Sequence, residues 1–398
     1  MTSNPQRAAA VLAAIGLIGC AAGLVIDPKA MLTSYLAVWY AASAIPVGAL
    51  CVLFTSYLVR GGWTYDLHTT LTGATLTIPV FAVLFIPVLL GLHWIYPWAT
   101  DGGSLPAFKA AYLAPWFFVL RTVCYFAIWT ALAIWAARAY GDAPAMIRAA
   151  SAGLIVWTLT VSWAGIDWLE SVEPHFHSST YGLLAVSFNL LAGYGFALAA
   201  RLSQSRPRQM SNAAYSALLL SILLLWAYLH AMQYIIIWTG NIPDEVSWYV
   251  IRLENGWGFV LWALFIGQFI VPFFVLLSET ARSSTMVLLW LAGATLVLRL
   301  IEAIVLILPS LGAASEAGPP LLPGEAASRS AAPDATTPRS PRPGRPRSWT
   351  RVRSPGSTTV TPRRPATDGR PAAASAGGVA STAASVPEVT DAVGRTGT

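Results

Sequence analysis

One feature recurs nine times along this chain: a run of about twenty residues that is almost wholly apolar. The runs fall at roughly 8–26, 34–59, 71–92, 112–137, 147–168, 180–201, 213–238, 257–277 and 285–308. A helix of that length crosses the hydrocarbon of a bilayer. In lipid a lone segment must satisfy its own backbone, and the helix does so internally. Only 11% of the residues are charged and 56% are hydrophobic, whereas a soluble domain carries about 25% charged residues. The fold class is an all-α polytopic membrane protein, a bundle of nine visible transmembrane helices over residues 1–309. Pro46, Pro79, Pro87 and Pro272 lie inside three of the runs and are expected to kink them. No internal repeat is visible.

The first run resembles a cleavable lipoprotein signal, with Arg7 ahead of it and "LIGC" at 17–20. Eight further spans behind it favour an uncleaved helix that ends at Asp27. Cys20, Cys51 and Cys124 all sit in apolar runs, with no C-x-x-C or C-x-x-C-H. Nothing in that pattern offers an iron–sulfur cluster or covalent haem.

Lysine and arginine set the expected orientation. With the N-terminus inside, that side collects Arg7, Arg60, Arg138, Arg148, Arg201, Arg206, Arg208 and Arg282, against Lys29, Lys109 and Arg252 outside. The bias follows the positive-inside rule, so we expect a bacterial inner-membrane protein with a cytoplasmic N-terminus. Acids run the other way, with Asp27, Asp101, Asp167, Glu170, Glu173, Asp244, Glu245 and Glu254 outside.

From about residue 310 the sequence becomes rich in Pro, Ala, Ser, Thr and Arg, a composition expected to be disordered. This tail holds 11 of the 24 basic and 6 of the 18 acidic residues, a net 11 − 6 = +5, leaving 13 − 12 = +1 for the body. With Trp349 its one aromatic residue, the tail gives little reason to expect a nucleic-acid partner; the bilayer is the expected partner of the body. Nine spans would carry this basic tail outside, against the charge bias. We therefore expect a tenth helix after Pro309 that a frameshift has replaced. Translation of the other two frames tests this.

Charges inside the spans narrow the search for a site. Arg121 lies in the fourth run, and Arg299 and Glu302 in the ninth. A charge at the bilayer centre costs about 2.5–3.5 kcal/mol on insertion scales and normally faces a partner. Arg299 and Glu302, at i,i+3, are placed to form a buried charge pair on one helix face. That pair serves equally as a lock between helices or as a relay or anion contact.

The densest group is "DWLESVEPHFHSSTYG" at 167–182. Pro174 disfavours helix at Glu173, so the fifth helix should end there, with Asp167 and Glu170 sharing a face of its last turn. Carboxylates at a helix C-terminus oppose the macrodipole, so some other purpose is required of them. A proton port of acids and the histidines His175 and His177 is one reading. A metal site is another, but the spacing matches no standard metal motif, and we assign none. A wet, hydrogen-bonded loop is the plainest. His93 and His230 are candidate axial ligands without an obvious partner, and are more simply hydrogen-bonding histidines.

These residues carry a resemblance. "DWLESVEPHFHSSTYGLL" at 167–184 is similar to the signature of a membrane subunit of alternative complex III, a quinol:cytochrome c oxidoreductase, in the polysulfide-reductase-like (NrfD-type) membrane family. "YLAPWFFVLRTVCYFAIWTAL" at 112–132, "QYIIIWTGNIPDEVSWYVIR" at 233–252 and "GWGFVLWALFIGQFIVPFFVLLS" at 256–278 resemble its fourth, seventh and eighth helices. The likeness covers roughly 8–309 and departs at 310. It implies two four-helix bundles with flanking helices, ten spans in all. It also implies a chain without redox cofactors of its own. Its partners would be a quinol-binding sister subunit and subunits carrying iron–sulfur clusters and c-type haem, with quinol as substrate of the complex. It implies a proton path with Asp167, Glu170, Glu173 and His175 in the outer half and Arg121 and Gln233 deeper; His177 and His230 complete the candidate set. The other function class in view is a secondary transporter of a small anion, bound by Arg121 or by Arg299 and Glu302.

Overall fold

The computed structural model describes residues 5–59, 61–100, 105–204, 210–253 and 256–310, with side chains before Ile18 largely outside that set. The expectations for the tail and the tenth span fall outside the described residues. So do Arg60, Asp101, Arg206, Arg208 and Glu254 of the charge tally and the side chain of Arg7.

Among the described residues the secondary structure is helical throughout. In chain order the helices are α1 (Pro5–Ile26), α2 (Pro28–Leu58), α3 (Gly62–Thr75), α4 (Ile78–Leu84), α5 (Ile86–Leu90), α6 (Leu92–Ile95), α7 (Ala107–Tyr112) and α8 (Pro115–Ala139). They continue with α9 (Ala143–Trp168), α10 (Tyr181–Leu202), α11 (Asn212–Gly240), α12 (Pro243–Leu253), α13 (Trp257–Phe265), α14 (Val271–Leu277), α15 (Glu279–Ser283) and α16 (Thr285–Ile307). Eight helical stretches are long and apolar enough to cross a membrane, and they coincide with the second to ninth predicted runs. The first run is helical as α1 but is not among those eight.

Several boundaries differ from expectation. α2 starts at Pro28, six residues before its apolar run, because Asp27 Oδ1 accepts the Ala30 N–H at 3.0 Å and Pro28 takes the first helical position. The third span starts at Gly62, since Asp66 is partnered by Arg201 and Tyr215 and so tolerates a helix that the apolar pattern alone misses. Pro46 sits inside an uninterrupted α2. Pro79 and Pro87, in contrast, coincide with breaks that divide one span into α3, α4 and α5. The freed carbonyls find side-chain donors: Trp39 Nε1 donates to Phe81 O at 3.1 Å, and Tyr35 Oη to Leu84 O at 2.6 Å. Pro272 follows a π-helical turn at Ile266–Ile270.

The spans group by contact into two sets. α2, the broken third span, α8 and α9 pack on one another, as do α10, α11, the α13–α14 span and α16. The sets meet mainly where α2 lies against α10 and α16, and α9 against α10. Small residues permit this approach. A Cβ on Gly48 would stand 1.7 Å from Asn189 O, and one on Gly193 2.2 Å from Ala49 N. The helices therefore touch backbone to backbone, and α2 is buried along most of its length. One bundle end gathers Asp66, Arg201 and Tyr215; the other gathers Lys109, Glu173, Pro174 and Arg252.

Candidate functional site

α9 stops at Trp168, five residues earlier than Pro174 led us to expect, and a single 3₁₀ turn, Glu170–Val172, carries the chain on. Tyr96 Oη caps the helix end by donating to Trp168 O at 3.0 Å. The tightened turn changes the radial spacing of the side chains. Asp167, Glu170 and Glu173 consequently do not share a face, and each turns to a different partner.

Asp167 is fully buried and looks into the α8–α9 interface. Arg121 grips it in a fork, Nε to Oδ2 at 2.8 Å and Nη2 to Oδ1 at 2.9 Å. Tyr125 Oη donates to Oδ2 at 2.7 Å, and the remaining arginine nitrogen, Nη1, donates to Tyr112 O at 2.7 Å. The guanidinium stacks 3.9 Å from the Tyr112 ring centre and 4.5 Å from that of Phe117. Burial, with the Asp167 charge behind it, pushes the Tyr112 hydroxyl up to about 12.

Glu170 Oε1 accepts the Ser178 N–H at 3.0 Å, while its buried Oε2 has no hydrogen-bond partner in the protein. Glu173 faces Arg252, which is fully buried on α12. Arg252 Nη2 donates to Glu173 Oε1 at 2.7 Å, and Ser310 Oγ donates to the same oxygen at 2.6 Å. The same arginine caps α16, donating from Nε to Val305 O and from Nη2 to Leu306 O at 3.0 and 2.7 Å. Arg252 thus ties the acid loop to the end of the helix that carries Arg299 and Glu302.

His175 and His177 are exposed. His177 Nδ1 donates to His175 O at 2.8 Å, and its Nε2 accepts from Lys109 Nζ at 3.0 Å, so both ring nitrogens are occupied. Lys109 also donates to Pro174 O. Burial pulls the Lys109 pKa below the ordinary lysine value, and the Glu170 charge pulls the other way. Among the described residues no three His, Cys, Asp or Glu side chains converge as a metal site. His93 is exposed and packs on Trp94. Gln233 stands at the level of this loop, its Oε1 3.3 Å from Ser178 Oγ and 3.4 Å from Thr180 Oγ1.

A second centre lies between α10, α11 and α16. Arg299 and Glu302 are 1% and 2% exposed and pair with each other through Nη1 and Oε2. Across the helix interface, Glu302 Oε1 accepts from Trp226 Nε1 at 3.2 Å and lies 3.1 Å from His230 Nε2. His230 Nδ1 donates to Trp226 O at 3.0 Å, because a carbonyl can only accept. His230 Nε2 therefore faces the Glu302 carboxylate across the helix interface. Arg299 rests between the rings of Trp226 and Phe188, 5.1 and 5.2 Å from their centres. None of its three side-chain nitrogens makes a hydrogen bond within the protein.

The sequence reading singled out Asp167, Arg121, His230, Arg299 and Glu302, but not Tyr125, Trp226 or Lys109, and it counted Arg252 only for topology and the family likeness. Tyr125 was within reach, since it stands one helical turn from Arg121 on the same face. The His230–Glu302 contact, between helices 72 residues apart in sequence, left no local signal. Neither a scan against protein-family models nor a search of curated proteins returns a match for this chain.

Proposed function

We propose that this chain is a cofactor-free membrane subunit of a quinol-oxidising respiratory complex in the bacterial inner membrane, with its N-terminus cytoplasmic. It contributes a proton route through the second helix group towards the histidine loop. Quinol is oxidised beside a sister membrane subunit, and electrons leave through iron–sulfur clusters and c-type haem on partner subunits to cytochrome c or an oxidase. The observation that carries this reading is the His230–Glu302 contact, a half-buried base beside a buried acid across a helix interface. The four family-like stretches supply the respiratory context. Glu173 and Glu170 continue the route outward. Asp167, gripped at both oxygens, is assigned to holding α8 on α9.

The test is purification of the subunit from native membranes in mild detergent, with a haem stain and a quinol-to-cytochrome c assay. Haem-bearing partners, activity, and a fall of tenfold or more on Glu302→Gln support the reading. A lone, colourless protein from membranes that hold the intact chain overturns it. That outcome favours the second reading, a secondary transporter of a small anion. Two observations speak for it: Arg299, whose nitrogens have no partner in the protein beyond Glu302, and two interrupted spans, Gly62–Leu90 and Trp257–Leu277.

A further inference from the structure

Beside the Glu302 centre lies a cavity of about 10 Å³, lined among others by Tyr40, Tyr181, Ala185, His230 and Glu302. That is the lower edge of the roughly 10–15 Å³ that one water needs. Its walls are polar where it matters. The Tyr181 hydroxyl is buried, with the residue 2% exposed, and has no hydrogen-bond partner in the protein. Glu302 Oε2 likewise makes no hydrogen bond, although it is ion-paired to Arg299. Tyr40 Oη accepts a long hydrogen bond, 3.3 Å, from Asn189 Nδ2, which leaves its own proton to be placed. The site therefore presents two phenolic donors and one carboxylate acceptor around room for a single small molecule. Burying a phenol such as Tyr181 without a partner is destabilising. A water satisfies all three, since it accepts two hydrogen bonds and donates two.

We infer that this cavity is a binding site for one ordered water, which accepts from Tyr40 and Tyr181 and donates to Glu302. It joins α2, α10 and α16 by hydrogen bonds that no protein group supplies. Larger ligands are excluded by volume. The inference does not depend on the respiratory reading, because it concerns hydration of the folded chain alone.

X-ray radiolysis of the full-length protein in lipid nanodiscs, read by mass spectrometry, tests it directly. Hydroxyl radicals born from a bound water oxidise the side chains that touch it. Tyr194 is the matched control: it is 1% exposed, and its hydroxyl is already bonded to Tyr215 O at 2.7 Å. We expect Tyr181 to be oxidised several-fold faster than Tyr194. Ala185→Val fills the cavity and should bring Tyr181 down to the Tyr194 rate. Equal, background oxidation of the two tyrosines in the wild type overturns the inference, whether or not the variant folds. So does fast Tyr181 oxidation that survives Ala185→Val in a folded protein.

Discussion

Two of the buried arginine–carboxylate pairs, Arg121–Asp167 and Arg299–Glu302, differ in how completely they are satisfied. At Arg121–Asp167 every arginine nitrogen has an acceptor, and both carboxylate oxygens accept, one of them from Tyr125 as well. At Arg299–Glu302 the arginine has its ion pair with Glu302 and two ring faces but no further acceptor in the protein, and the acid also faces a histidine. A closed network of this kind fixes geometry and resists change. An open one leaves donors free to exchange partners, which is what proton transfer or ligand binding needs. Charge burial alone does not distinguish a strut from a working site; the hydrogen-bond inventory does.

The largest effect should come from breaking the closed centre. Arg121→Leu leaves Asp167 buried without its cation, a loss of about 3–5 kcal/mol, enough to remove the folded subunit from membranes. Adding Asp167→Leu should recover most of the protein, since replacing both partners by apolar residues is often nearly neutral. Quantified membrane levels of the single and double variants check this. If Arg121→Leu folds normally but loses turnover, the first centre is a working site and the contrast is lost.

His230→Gln probes the open centre. Glutamine retains hydrogen-bonding capacity towards Trp226 O and Glu302 but does not titrate. In the proposed complex, quinol-driven turnover should fall at least tenfold while the thermal midpoint moves little. Unchanged turnover would make both centres structural. Glu170→Gln, in an acid with one unpartnered oxygen, should give a smaller loss, a few-fold, in the same assay.

The smallest effect concerns Lys109, which pins the histidine loop. Its pKa in the folded chain lies below the ordinary 10.5 because of burial. Just below pH 10.5 the unfolded chain holds this proton more tightly than the folded one, so stability rises with pH across that window. Lys109→Met should flatten that rise in thermal melts recorded from about pH 9 to 10.5. A rise that survives the substitution belongs to other groups.

The spans were legible because twenty apolar residues state their own length requirement. Their boundaries were less so. The segment from Gly62 to Thr70 contains Asp66 and His68 and reads as polar, yet Asp66 becomes acceptable in a helix through Arg201 and Tyr215. Pro174 correctly warned of a helix end near Glu173, but the switch to a 3₁₀ turn at Glu170 depends on contacts such as Tyr96 to Trp168 O. Arg121 and Asp167 each stood out in the sequence. Their pairing, and that of His230 with Glu302, arises only when helices distant in sequence are packed side by side.

The backbone contact of α2 with α10 at Gly48 and Gly193 carries a mechanical consequence. Where two helices meet backbone to backbone they cannot slide or rotate without collision, so they form an axle shared by both helix groups. Any change in shape must then be taken up outside this contact, where the proline-broken third span and the π-turn before Pro272 offer joints. Both joints are tied back to the framework, the third span through Trp39 and Tyr35 of α2 and the π-turn through Gln268 to Thr295 of α16. A change of contacts at Glu302 would therefore meet a fixed wall on the α2–α10 side and be passed on through α11 and α16.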